Sequence, residues 1–141
     1  MPGIETQVIT LDSLGLEKCS FMKVDVEGME MEVLEGARET IARCRPYLFL
    51  ECAFDAGVRP LWEKLRELNY VAGWVVTMLF DEDNFYHNPE SIYGNVCSFN
   101  LFCRPAEDSR VVVKGLPEFG VDDKVEGTFT LGKVTKKICL S

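Results

Sequence analysis

Acidic side chains stand at the ends of two apolar segments, where they could contact a ligand. Residues 21–26 have the pattern of an apolar strand that contains Asp25 and leads into Glu27 and Gly28, and a helical pattern follows directly. Open α/β sheets place ligand-handling groups at such an edge, where strands end and helices begin. Glu51 closes a second apolar segment, so its carboxylate could converge with those of Asp25 and Glu27.

Each candidate residue also has a simpler explanation. Glu27 could merely interact with the positive end of the following helix, which is worth about 0.3–1 kcal/mol. Asp25 needs a partner if its strand is buried, although water could solvate it at an exposed edge. His87, the one histidine of the chain, is a possible general base by residue type, and it could equally be a surface-loop histidine without chemistry.

The segments around these acids alternate between strand and helix periodicity, which predicts an α/β sheet. Strand patterns cover residues 21–26, 47–52, 71–80 and 96–103, and helical patterns cover residues 29–44 and 60–69. Because residues 47–52 are almost continuously apolar, we expect a central strand of a parallel sheet that is covered on both faces. Pro60 suits the first turn of the second helix, and Gly36 within the first helix suggests close packing against the sheet.

The pattern of apolar and polar residues changes after Pro105. Short β candidates separated by glycines follow at residues 111–113, 128–131 and 138–140. We therefore expect two units, an α/β domain over residues 1–105 and a β-rich extension over residues 106–141.

The amino-acid composition argues against several kinds of partner and site. The net charge of −8 repels phosphate backbones, so nucleic acids and anionic membranes are poor partners. None of the apolar runs is long enough to span a bilayer, and the first residues lack the features of a signal peptide. The six cysteines lie mostly within apolar segments without a C-x-x-C pair, which favours reduced thiols in a cytoplasmic protein and argues against a zinc site.

The chain resembles FkbM-type methyltransferases in a series of ordered blocks that spans roughly residues 8–105. The blocks are T-L-D-S-L at residues 10–14, K-V-D-V-E-G at 23–28, E-V-L-E-G-A-R-E at 32–39, R-P-Y-L-F-L-E at 45–51, N-P-E-S-I-Y-G at 88–94 and S-F-N-L at 98–101. An isolated D-V-E-G would be weak, but the ordered series is specific.

The resemblance implies a Rossmann-like class I methyltransferase, in which S-adenosylmethionine binds across the carboxyl ends of a seven-stranded, mostly parallel sheet. Many members methylate hydroxyl groups of sugars or natural products. The resemblance places Asp25, Glu27 and Gly28 at the cofactor edge and makes Asp25 and Glu27 catalytic candidates. His87 is a further catalytic candidate by residue type. Some class I O-methyltransferases hold a divalent metal at two such strand ends, which makes Asp25 and Glu51 candidate ligands for Mg²⁺.

One part of the family pattern has no counterpart here. Only about twenty residues precede the D-V-E-G strand, and they contain no G-x-G motif. The strands present would then be the fourth to seventh of the family, and the half that cradles the cofactor would come from elsewhere. We therefore expect either a methyltransferase, with or without activity on its own, or a non-catalytic truncated domain for dimerisation or protein interaction. In both cases a homodimer or a second chain would cover the edge of residues 21–26.

Overall fold

Strands and helices alternate along the first half of the chain, and consecutive strands follow. The computed structural model describes residues 3–52, 58–94 and 96–110, together with the backbone of residues 125–131 and 134–140. A single 3-10 turn (Asp12–Leu14) comes first. The elements after it are β1 (Phe21–Val24), α1 (Glu30–Gly36), α2 (Arg38–Cys44), β2 (Tyr47–Glu51), α3 (Val58–Glu67), β3 (Tyr70–Met78), β4 (Cys97–Pro105), β5 (Val125–Leu131) and β6 (Val134–Leu140).

The first four strands form one mixed sheet in the order β1-β2-β4-β3. β2 is central, as expected, but only its pairing with β1 is parallel, whereas β4 runs antiparallel to both β2 and β3. The expectation of a parallel sheet was wrong on this side, because a loop rather than a crossover helix joins β3 to β4. The carboxyl ends of β1, β2 and β3 therefore share one edge with the amino end of β4, which we call the carboxyl edge.

The described helices pack on one face of this sheet. Leu48 and Leu50 of β2 are fully buried and share a core with Leu34 and Ile41 of the helices. The alternate side chains of β2, such as Phe49, are only half-buried. Coverage of β2 on both faces was therefore a wrong prediction for the described residues. Its nearly continuous apolar sequence does not distinguish a covered face from a half-exposed one.

The helix predicted over residues 29–44 is two helices with a break at Ala37, whose φ and ψ are −115° and 9°. At the break the Asp12 carboxylate accepts the backbone N–H groups of Glu39 and Thr40 at 2.9 and 2.8 Å. This side chain satisfies donors that the first turn of α2 leaves free. Gly36, next to the break, faces Thr10 and not the sheet, because a Cβ added there would lie 3.4 Å from the Thr10 Cβ.

The remaining elements agree with the sequence patterns where the structure describes them. Pro60 lies in the first turn of α3, and Asn69 follows this helix in the left-handed conformation, with φ of 59°. β5 and β6 form a separate antiparallel pair that contains the β candidates at residues 128–131 and 138–140. The candidate at residues 111–113 lies outside the described residues, and the boundary at residue 105 stays a prediction.

The described cysteines are free thiols, and the described helices are not of the membrane-spanning kind. The five cysteines whose side chains the structure describes are free, and burial raises the pKa of Cys52 to about 12. A buried thiol with such a pKa stays protonated and is a poor nucleophile. Among the described residues, helices with the length and apolarity needed to cross a membrane are absent.

Candidate functional site

A sharp turn after β1 keeps two acids at the carboxyl edge. Glu27 and Gly28 both have positive φ, 51° and 95°, and the Gly28 N–H is accepted by the buried Glu30 carboxylate at 3.1 Å. The left-handed conformation costs an L-residue roughly 1–2 kcal/mol. Strain of this kind is often found at functional sites. Glu27 therefore carries local backbone strain in the turn that connects β1 to α1.

Three carboxylates meet at this edge. One oxygen from each of Asp25, Glu27 and Glu51 lies within 4.8 Å of the others, and we call these three residues the acidic cluster. Asp25 and Glu27 are exposed, whereas Glu51 is half-buried at the end of β2. The parallel pairing of β1 with β2 produces this convergence, because it brings the ends of both strands to the same place.

Asp25 and Glu51 in the acidic cluster differ in the direction in which their pKa values are shifted. Lys23 forms an ion pair with Asp25, and its hydrogen bond, followed by that of Glu51, lowers the pKa of Asp25. The hydrogen bond with Asp25, followed by burial, raises the pKa of Glu51. The pKa values of two nearby carboxyl groups commonly move apart in this way, because ionising both groups would place two negative charges side by side. Of the two acids, Glu51 therefore takes up a proton more readily than Asp25 as the pH falls.

Two residues of β4 that the sequence analysis did not single out as site residues adjoin the cluster. The Ser98 hydroxyl lies 3.2 Å from Oε1 of Glu51 and accepts a hydrogen bond from Nδ2 of Asn100 at 3.0 Å. Asn100 is only 6% exposed. A sequence signal existed, because these polar residues alternate with apolar ones in a strand and must share a face.

His87 lies in the loop of residues 79–96, which leaves the carboxyl edge between β3 and β4. Its side chain is exposed and does not belong to the acidic cluster among the described residues. Its backbone has φ of 50° and donates to the Asn84 carbonyl at 2.9 Å. The Asn84 side chain also donates to the carbonyls of Asp81 and Asn88, at 2.9 and 2.8 Å. Hydrogen bonds of Asn84 therefore hold residues 81–88 of the loop together, and His87 lies at the surface of this segment.

One comparison with known proteins identifies the family of the chain. The family model of the methyltransferase FkbM domain matches residues 2–72, a range that includes all three acids and both parallel strands. No curated protein and no solved structure gave a significant match to the chain. Since the matched residues make up half of the sequence, the chain belongs to the FkbM methyltransferase domain family.

Proposed function

We propose that this protein takes part in S-adenosylmethionine-dependent methyl transfer to a hydroxyl group of a sugar or a small natural product. The observation that carries the proposal is the meeting of Asp25, Glu27 and Glu51 at the carboxyl edge, inside the region that matches the family. Methyl transfer to a hydroxyl requires an aligned acceptor and a group that takes its proton. Exposed carboxylates at a strand edge suit both tasks.

We further propose that β1 to β4 are the fourth to seventh strands of a class I methyltransferase sheet. The parallel pairing of β1 with β2 supports this assignment, as does the family match, which runs from before β1 into β3. In this arrangement the edge of β1 that faces away from β2 would receive the cofactor-binding half. That half would come from another segment of the polypeptide or from a second chain.

The residues at the turn fit an adenosyl cofactor in part. Asp25 and Glu27 are exposed acceptors for hydroxyl hydrogen bonds, and the space around Gly28 is open, since a Cβ placed there would meet no atom within 4 Å. The cofactor, when bound, supplies the electrophilic methyl group. Asp25, which Lys23 keeps ionised, would orient the acceptor hydroxyl and take its proton, while Glu27 would bind on the cofactor side. His87 is a second candidate base on the loop above this edge.

The acidic cluster also fits a hard divalent cation. Carboxylate oxygens are the ligands that Mg²⁺ prefers, and Asp25 and Glu51 would hold the ion through one oxygen each. Such an ion would polarise the acceptor hydroxyl. It would also compete with the Lys23 ammonium, which already pairs with Asp25. Magnesium binding should therefore strengthen when Lys23 is replaced by methionine, as measured by calorimetric titration of Mg²⁺.

Calorimetric titration of S-adenosylmethionine into the purified chain tests the main proposal. One-to-one binding near micromolar affinity would show that the chain holds the cofactor without the other half of the sheet, and Asp25→Asn or Glu27→Gln should then weaken it about tenfold, or about 1.4 kcal/mol. Glu39→Gln, an exposed change on α2, is the matched control and should bind like the original chain. Absence of binding by a well-folded chain would contradict the proposal for this chain on its own.

A second candidate function is a non-catalytic dimerisation module. In the described residues β1 pairs with β2 alone, and Phe21 at its start is 55% exposed. An unpaired strand edge with an exposed aromatic residue can pair with a second copy of the chain. Sedimentation equilibrium should then show a dimer that Phe21→Lys weakens and Ile92→Lys, an exposed loop change, leaves intact. A well-folded monomer at high concentration would refute the dimer.

A further inference from the structure

We propose that the loop of residues 79–96, between β3 and β4, docks onto a positively charged surface of a partner protein. The loop presents a group of exposed, large apolar side chains, which we call the loop patch. Its members are Leu79, Phe85, Tyr86, Ile92, Tyr93 and Val96. This inference goes beyond the proposed function, because it requires no methyl transfer and concerns residues outside the family match.

Two aromatic rings make up the most exposed part of the loop patch. Phe85 is 89% exposed and Tyr86 is 86% exposed, and their rings pack edge to face with centroids 5.2 Å apart. Single apolar side chains on a surface need no explanation, whereas a group of them marks a contact site. Aromatic side chains also contribute much of the binding energy when an interface covers them. The loop patch therefore has the composition of an interaction surface.

Hydrogen bonds hold the loop in one shape before any partner binds. At its base the Leu79 N–H donates to the Val96 carbonyl at 3.1 Å, which extends the pairing of β3 with β4. Asn84 joins residues 81–88, and the Ser91 hydroxyl donates to the Gly94 carbonyl at 3.1 Å. Because these bonds already restrict the loop, docking costs less conformational entropy than it would for a loose segment.

The charges around the loop patch select the kind of partner. The sequence of residues 79–96 contains neither lysine nor arginine, and its acids are Asp81, Glu82, Asp83 and Glu90, all exposed. Like charges repel across an interface, which disfavours anionic membranes and a second copy of this chain, whose net charge is −8. Arginine and lysine side chains can pack on aromatic rings and pair with carboxylates. A basic surface therefore complements both the rings and the acids.

The exposure of the rings favours a protein over a small molecule. Sites for small molecules are concave and usually bury about 70–90% of the ligand's surface. Phe85 and Tyr86 stand out from the loop, with most of each ring in water, so they do not enclose such a ligand. A protein surface can cover several projecting side chains at once, and the centres of protein interfaces are rich in aromatic residues.

The test uses a short, fluorescently labelled peptide of arginine, glycine and leucine as the probe for a basic protein surface. Fluorescence anisotropy should show that the full chain binds this peptide and does not bind a version with glutamate in place of arginine. The double variant Phe85→Ser with Tyr86→Ser should weaken binding about tenfold. The control, Ile4→Ser with Val8→Ser, removes two exposed apolar side chains outside the loop and should bind like the original chain. Circular dichroism checks that each variant is folded.

A second pair of variants tests the contribution of charge. Glu82→Gln should weaken peptide binding about twofold, because one carboxylate at the rim of the loop patch is lost. Glu63→Gln removes the same charge from an exposed position on α3 and should leave the affinity unchanged. In NMR spectra of the original chain, the peptide should shift amide resonances of residues 81–93 and leave those of α3 in place.

The outcomes also separate this inference from the proposed function. The docking surface is refuted if the arginine peptide does not bind, or if the Phe85 and Tyr86 double variant binds it as tightly as the control does. Binding to phosphatidylcholine vesicles in place of the peptide would overturn it in favour of a membrane, and self-association that the double variant abolishes would overturn it in favour of a second copy. If the peptide binds as expected and S-adenosylmethionine does not bind, the proposed function fails and the docking surface stands.

Discussion

Replacing Arg45 by methionine should remove a structural hub that joins distant parts of the chain. The guanidinium group donates to the carbonyls of Leu68 and Asn69, both at 2.9 Å, and forms a bidentate pair with Glu107 at 2.6 and 2.8 Å. It also lies 4.6 Å from the ring centroid of Tyr70. One side chain thus links the end of α2 to the start of β3 and to the turn after β4.

The magnitude follows from these contacts. Each hydrogen bond to a carbonyl contributes about 1 kcal/mol to stability, and the cation–π contact contributes about 0.5–1 kcal/mol. The pair with Glu107 adds little, because that side chain is 53% exposed and water screens it. We therefore expect Arg45→Met to lower the free energy of unfolding by about 2–3 kcal/mol. Arg45→Lys should lose less, since an ammonium group still reaches one carbonyl but cannot form the fork.

Urea denaturation at neutral pH measures this difference as a shift of the transition midpoint at unchanged slope. Arg38→Met is the matched control. Arg38 is exposed at the start of α2, so its replacement should change the stability by less than about 0.5 kcal/mol. If Arg45→Met were as stable as this control, the hub would contribute nothing and the reasoning would be wrong.

The same variants should differ in acid. The hydrogen bond from Arg45 lowers the pKa of Glu107 from 4.5 to about 2. Because the folded value lies below the unfolded one, the stabilisation is complete above pH 4.5 and is lost as the pH falls toward 2. Because the pair is exposed and screened by water, the effect is small, and the original chain should lose slightly more stability across this window than Arg45→Met does. Equal acid slopes in both proteins would contradict the assignment.

Three further changes test other parts of the structure. Gly36→Ala should raise the free energy of unfolding by about 0.5–1 kcal/mol in urea denaturation, because the added Cβ would only contact Thr10 at 3.4 Å. The larger side chain of Gly36→Val should lose that gain. A destabilised alanine variant would show that the end of α1 is too crowded for a Cβ. Glu27→Gly should raise the free energy of unfolding by about 0.5–1 kcal/mol, because glycine adopts the left-handed conformation without strain. The same change should weaken the binding of S-adenosylmethionine in calorimetric titration. A loss of stability would show that the backbone at Glu27 is not strained. Asp12→Ala should lower the thermal midpoint and weaken protection of the Glu39 and Thr40 amides against hydrogen exchange, because both amides donate to its carboxylate. Glu82→Ala, at an exposed loop residue, is the control.

Much of the fold could be predicted from local patterns. Alternation of apolar residues located β1, a continuous apolar run located β2, and helical periodicity with Pro60 located α3. The break at Ala37 could not be predicted in this way, because Asp12, which caps the helix after the break, lies 27 residues away along the chain. Likewise, the apolar sequence of β2 did not reveal that one of its faces is only half-buried, since the covering helices are set by tertiary packing.

The sequence by itself determined the family, the strand that carries Asp25 and Glu27, and the acid that ends the next strand. These are local properties, because residue type and periodicity are written along the chain. Only the tertiary structure decided that the three carboxylates meet within 4.8 Å and that Ser98 contacts Glu51. Both contacts depend on which strands pair and in which register, and these are fixed by burial of the shared core face over residues far apart in sequence.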